Sequence, residues 1–224
     1  MLRAAFFDLD ETLIDAGDCH REASRQAFAA FGMDWDEAFR RTGAFFGRRM
    51  KDILEMRRDA LGIGEGAVPI EELVTLRETH YVSLFPAGVC LLPGAREAVA
   101  SVGKHGAVAA VVSSTARATI ELTLEHYELS RLVAFVVGGD EVARGKPAPE
   151  CYERAHQVLQ AFKSAAKDEC LVAEDSSAGV TAARLAGLPV CLIPRYPLAE
   201  PVTPEYTLAS LSEFPALVAH LAGG

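Results

Sequence analysis

Near the N-terminus the stretch FFDLDETL sets two aspartates, Asp8 and Asp10, one residue apart directly after an apolar run. Three further polar signals follow apolar runs elsewhere: Ser113-Ser114-Thr115, Lys146 in the turn GKPAP, and Glu174-Asp175. Carboxylates gathered without compensation repel and raise one another's pKa, so a divalent cation is their natural partner. Mg²⁺ suits them best, because it takes oxygen ligands and is commonly held by a few carboxylates together with substrate phosphate. A lysine and a hydroxyl beside such a cluster complete a phosphate cradle, in which Lys146 neutralises one phosphoryl oxygen and Ser113 donates to another.

These residues must be positioned by a regular scaffold. Short β-rich runs at Ala4–Phe7, Val108–Val112, Leu132–Val137, Leu171–Ala173 and Val190–Ile193 do not alternate with polar residues, as expected of strands buried on both faces of a parallel sheet. Segments of helical spacing lie between them: Ala95–Val102, Ile120–Tyr127, Glu150–Phe162 behind Pro149, and Val180–Ala186 before Gly187. The alternation predicts an α/β fold, a doubly wound, Rossmann-like parallel sheet. Ligands of such sheets bind beyond the carboxyl ends of the strands, which is where every polar signal stands. An isolated Asp pair at a strand end is ordinarily a turn or a helix cap. The four signals in order, each behind a strand, argue for a site.

Residues from about Asp18 to Phe85 carry helical periodicity and almost no strand-like run. They read as a helical insertion into the core, with the insertion at 16–87 and the core at 1–15 and 88–224. Ala16-Gly17, Pro86-Ala87-Gly88 and Pro93-Gly94 mark its edges and suit a pair of hinge strands.

The chain of 224 residues has a formal charge of -9, which argues against nucleic acid as a partner because phosphate backbones reward clustered Lys and Arg. Five scattered cysteines without a CxxC pair indicate neither a disulfide framework nor a zinc site. No apolar stretch approaches the roughly 18 residues of a membrane span. A cytoplasmic protein without a membrane partner is expected, a monomer or weak dimer acting on a small phosphorylated metabolite.

Taken together, Asp8-Leu9-Asp10-Glu11-Thr12, Ser113, Lys146 within GKPAP and Glu174-Asp175 within EDSSAG resemble the four motifs of the haloacid dehalogenase-like hydrolase superfamily, and the resemblance covers nearly the whole chain. The helical insertion is similar to the C1-type cap of its β-phosphoglucomutase and phosphoglycolate phosphatase group. The resemblance implies Asp8 as nucleophile, Asp10 as general acid/base, and Ser113 and Lys146 as phosphoryl-binding residues. It implies Mg²⁺ bound by Asp8, Asp175 and the Asp10 backbone carbonyl, with Glu174 a ligand or one layer behind. The chemistry agrees: a carboxylate attacking phosphorus splits one difficult displacement into two, and Asp8 ends its strand directly. Asp10, two residues on, is placed to protonate the leaving oxygen and later to activate water.

Two departures stand out. Glu11 occupies a place where the family usually has glycine, and the doubled Ser113-Ser114 leaves open which hydroxyl meets phosphate. Thr12 is either a donor to the site or a plain turn hydroxyl. Asp10 favours phosphate esters, since dehalogenases lack it. In the cap, Arg40, Arg41, Arg48, Arg49, Lys51, Arg57 and Arg58 form a basic stretch interleaved with acids. Of these, Arg48 and Arg49 beside Gly47 are the candidates for gripping a second anionic group of the substrate. His20 lies where mutase-like members carry a histidine that bears on Asp10. The expected function is a Mg²⁺-dependent phosphatase working through an aspartyl phosphate. A β-phosphoglucomutase-like phosphohexomutase is the alternative. A signalling receiver domain, which shares the acceptor Asp, hydroxyl and lysine, is much shorter and lacks the insertion.

Overall fold

The computed structural model describes residues 1–34, 47–64 and 68–223, without the side chain of Pro86. Arg40 and Arg41 lie outside the described residues. The chain runs β1 (Ala4–Phe7), β2 (Ile14–Asp15), α1 (Gly17–Ala30), α2 (Met50–Ala60), α3 (Ile70–Gly88), β3 (Cys90–Leu91) and α4 (Ala95–Lys104). It continues through β4 (Val108–Val112), α5 (Arg117–His126), β5 (Phe135–Val137), α6 (Glu150–Gln160), β6 (Cys170–Glu174), α7 (Ser177–Leu185), β7 (Val190–Leu192), β8 (Tyr206–Thr207) and α8 (Phe214–Gly223).

A six-stranded sheet in the order β5-β4-β1-β6-β7-β8 forms the centre, and its pairings are parallel throughout. This is the doubly wound α/β fold that the unalternated apolar runs predict. β1 is central because its residues can be apolar on both faces. Ala5, Phe7 and Leu9 feed one apolar cluster with Phe214, while Ala4 and Phe6 feed the other with Tyr152 and Val172. Phe7 pairs with Val111 on one side and Ala173 on the other, so β1, β4 and β6 end at one level.

The structure trims or extends some predicted elements. The third run, Leu132–Val137, contracts to Phe135–Val137, with Leu132 and Val133 packing against the core ahead of the strand. α7 begins three residues earlier than the periodicity shows, because the Ser176 hydroxyl accepts from Gly179 N at 3.1 Å and caps it. β8 and α8 carry no clear periodic signal in the sequence. β8 is only two residues long at the sheet edge.

Between β2 and β3, which pair antiparallel, α1, α2 and α3 build a small apolar cluster of their own from Ala27, Phe28, Leu54, Val68, Ile70 and Leu73. The far end of α3 instead joins the main core through Tyr81 and Phe85. Just past β3, Gly94 caps α4 at φ +83°, and a Cβ there would stand 2.6 Å from the backbone N of Ser212. Gly94→Ala is therefore expected to cost about 2 kcal/mol, through the left-handed backbone and the collision together, while leaving the sheet edge undisturbed. A lowered urea midpoint with unaltered slope is the measurement.

Candidate active site

The β1 ladder continues one residue beyond the strand, with Asp8 N donating to Ala173 O at 2.9 Å, and this fixes the Asp8 backbone at the sheet edge. Ser113 is held the same way, its N–H donating to Val137 O at 3.0 Å. After Asp8 the chain turns sharply: Leu13 N and Ile14 N both donate to Leu9 O, and Glu11 N to Ile14 O at 2.7 Å. That turn needs a left-handed residue, and Glu11 supplies it at φ +63°. A glutamate carries a backbone cost there that glycine does not. Its carboxylate offsets part of it: Oε1 accepts from Ala16 N at 3.1 Å. The Arg195 guanidinium stands 3.5 Å from Oε2, an ion-pair distance at which no hydrogen bond forms. Burial pushes the Glu11 carboxyl up.

Lys146 is fully buried, and its ammonium donates to Asp8 Oδ1 and Glu174 Oε1, each at 2.6 Å, and to Val112 O at 3.2 Å. Glu174 is held by further bonds, since Tyr152 OH donates to Oε1 at 2.6 Å and Ser176 Oγ to Oε2 at 3.1 Å. Gly179 makes room for it, because a Cβ at that position would lie 1.9 Å from the Glu174 carboxylate. Burial raises the Asp8 and Asp175 carboxyls well above the usual range, and neighbouring carboxylates add to the rise. Burial works against the Lys146 charge, but Asp8 and Glu174 outweigh it and hold the ammonium well above its ordinary pKa.

Asp8, Glu174 and Asp175 each offer an oxygen within 4.8 Å of the others. One oxygen of Asp175 is buried without a hydrogen-bond partner. Three carboxylates against one ammonium leave two negative charges, which a divalent oxygen-loving cation would neutralise. The residues present thus fit a metal of the Mg²⁺ kind, with Asp8 and Asp175 offering the most unused lone pairs.

Asp10 lives in different surroundings. Thr115 Oγ1 donates to its Oδ2 at 2.6 Å, Ser113 Oγ stands 3.5 Å from the same oxygen, and His20 Nε2 lies 2.8 Å from Oδ1. His20 is stacked on Tyr81, ring centroids 4.6 Å apart, and the buried Arg77 donates to its Nδ1. A guanidinium has only donors, so Nδ1 must accept, and the ring proton sits on Nε2 facing Asp10. Burial works to raise the Asp10 carboxyl, but His20, the Thr115 hydrogen bond and Arg77 outweigh it and leave it below the ordinary value.

Asp8, Asp10, His20, Arg48, Ser113, Ser114 and Asp175 line a cavity of about 140 Å³ between the sheet edge and the helices, with Met50 and Ile53 of α2 also on its wall. Lys146 and Glu174 stand behind its wall. Ser114 donates to Gly47 O at 2.6 Å, which leaves Ser113 as the hydroxyl directed at the acidic groups. Thr12 is buried with an unpartnered hydroxyl and does not reach the cavity; nor does Arg49, whose guanidinium is bound to Asp52. Arg77 and Tyr152 carry no motif in the sequence, and Thr115 and Ser176 appear there only as neighbours within Ser113-Ser114-Thr115 and EDSSAG. Thr115 had a signal in its place behind a strand, whereas Arg77 sits in an ordinary charged helix, RETHY, that offers none.

The family model described as haloacid dehalogenase-like hydrolase matches residues 5–193. The chain is 34% identical over 204 residues to protein CbbY of Rhodobacter capsulatus, with 86% of each covered. It is 32% identical over 190 residues to the validoxylamine A 7'-phosphate phosphatase of Streptomyces hygroscopicus subsp. limoneus, covering 84% of each. Among solved structures, CbbY from Rhodobacter sphaeroides in complex with phosphate superimposes with a TM-score of 0.80 at 26% identity, covering 95% of this chain and 96% of that one.

Replacing His20 by Asn removes the strongest of the influences that hold the Asp10 carboxyl down. Its titration midpoint, followed by the carboxyl carbon signal in NMR, is expected at a higher pH than in the parent protein; an unmoved midpoint would contradict the geometry. With four motifs gathered at one sheet edge and the family model spanning most of its length, the chain belongs to the haloacid dehalogenase-like hydrolases.

Proposed function

We propose that the protein is a Mg²⁺-dependent phosphatase that hydrolyses a small phosphorylated metabolite through an aspartyl phosphate on Asp8. The observation that carries this reading is the division between two aspartates facing one cavity. Asp8 rests on the Lys146 ammonium, and Asp10 on a histidine and a hydroxyl. Groups whose surroundings push their pKa values apart are suited to different tasks. The phosphatase among the relatives and the phosphate bound to the superimposed CbbY support the same substrate class.

In this mechanism an Asp8 oxygen forms the new bond to phosphorus as the bond to the ester oxygen breaks, and Asp10 delivers its proton to that leaving oxygen. A phosphate dianion beside Asp10 opposes the lowering of its pKa, which favours the protonated acid in the bound complex. Water then attacks the acyl phosphate while Asp10 takes its proton, and Asp8 is regenerated with release of inorganic phosphate. Lys146 holds Asp8 in place and offsets charge on the transferring group, and Ser113 donates to a phosphoryl oxygen. Asp8, Asp175 and the main-chain carbonyl of Asp10 would hold Mg²⁺, which would supply further charge neutralisation when bound. Residues 16–87 act as a cap that excludes bulk water, with Arg48 on the cavity wall facing the rest of the substrate.

Transfer back to a reoriented sugar would use the same two aspartates and make the protein a phosphohexomutase, a reading that the hold of His20 on Asp10 favours. The test is a panel of phosphorylated metabolites with Mg²⁺, scored for phosphate release against substrate consumed. Stoichiometric release supports the phosphatase, and isomerised product without release supports the mutase. Asp8→Asn is expected to abolish turnover, and Asp10→Asn to reduce it by about 10²–10⁴-fold. Mg²⁺ is expected to raise the melting temperature of the parent protein and of Asp10→Asn, but not that of Asp175→Asn.

A further inference from the structure

The segment that leads into α2 is where the helical unit presses on the sheet edge. Gly47 O accepts from Ser114, and a Cβ on Gly47 would stand 2.2 Å from Ser176 Oγ. Two residues on, Arg49 reaches past the cavity to the loop that follows β5. Its Nε and one terminal nitrogen donate to the two oxygens of Asp52 at 3.0 and 2.8 Å. The other terminal nitrogen donates to Val142 O at 3.0 Å and to Gly139 O at 3.5 Å. Its stem lies so close over this loop that a Cβ on Gly145 would be 2.6 Å from Arg49 Cγ and Nε, and one on Gly139 would be 3.1 Å from Cγ. Neither glycine has a positive φ, so the approach of Arg49, not backbone freedom, calls for a missing side chain at Gly145.

Asp52 cancels the charge of Arg49, which leaves it a rigid fork of donors for main-chain carbonyls in place of an anion receptor. The residue after Gly145 is Lys146. We propose that Arg49 is a positioning residue that latches the helical unit onto the 139–145 loop and thereby sets Lys146 against Asp8. A substrate that seats the helices would in this way also tighten the ammonium behind the nucleophile. The kinetic arm rests on the phosphatase reading above; the exchange arm does not.

The experiment uses the full chain with Mg²⁺ and compares the parent with Arg49→Met, Arg49→Lys, Gly145→Ala and the double variant Arg49→Met/Gly145→Ala. Amide hydrogen exchange across 139–149 is expected to rise about tenfold in Arg49→Met, with a similar melting temperature. Arg49→Lys is expected to restore little, since an ammonium cannot divide donors between a carboxylate and two carbonyls. Gly145→Ala should reproduce the exchange change, and the double variant should add little to either single change, as for two ways of breaking one contact. On whichever metabolite the panel identifies, kcat is expected to fall about tenfold or more with KM changed much less. Unchanged exchange across 139–149 in Arg49→Met, additive effects in the double variant, or a rise in KM alone would each overturn the latch. A parent protein that released no phosphate would overturn the phosphatase reading and leave the exchange result standing.

Discussion

The Lys146 ammonium lies between the carboxylates of Asp8 and Glu174, 2.6 Å from each and out of contact with water. A buried charge is costly unless paired and fully hydrogen-bonded, and removing one partner strands the other. Much of the surrounding structure serves that requirement. Tyr152 on α6 and Ser176 at the start of α7 also donate to Glu174, Val112 O takes a further ammonium proton, and Gly179 has no side chain because the carboxylate fills that space. Two helices and three strands are thus tied to a single charge cluster, and a change at any of them is felt at Asp8.

The second aspartate answers to other parts of the chain. Its partners are His20 on α1, backed by Arg77 and Tyr81 on α3, and Thr115 ahead of α5. Asp8 is therefore set by the sheet and the helices beneath it, and Asp10 largely by the inserted helices. Two like residues, two positions apart, acquire opposite electrostatic character because the chain between them turns from one set of neighbours to the other. Glu11 makes that turn, tethering its own carboxylate to the first residue before α1.

How much of this was legible in the sequence depended on whether a residue's signal was local. The parallel strands were legible because burial on both faces leaves an unbroken apolar run, and Asp8, Ser113, Lys146 and Glu174-Asp175 because each stands just beyond such a run or in the turn after it. The antiparallel pair of β2 and β3 stands where small and turn-forming residues mark the edges of the insertion. Arg77 and Tyr152 left no trace, since their meaning lies in contacts 57 and 22 residues away along the chain. Arg49 was read as a group facing an anion, and its pairing with Asp52 three residues later carries an i,i+3 spacing that is common on any helix surface. β8 was too short for a periodicity to show.

The level ends of β1, β4 and β6 have one more consequence. The backbone ladder, with Phe7 opposite both Val111 and Ala173, sets the heights at which Asp8, Ser113 and Glu174 emerge, and the aliphatic side chains along it only have to fill space. Chains that share this ladder are free to exchange one small apolar residue for another throughout the sheet while the chemistry stays in register. Divergence to about a quarter identity with the superimposed CbbY, at nearly full overlap, is what such a division between a fixed frame and an interchangeable filling permits.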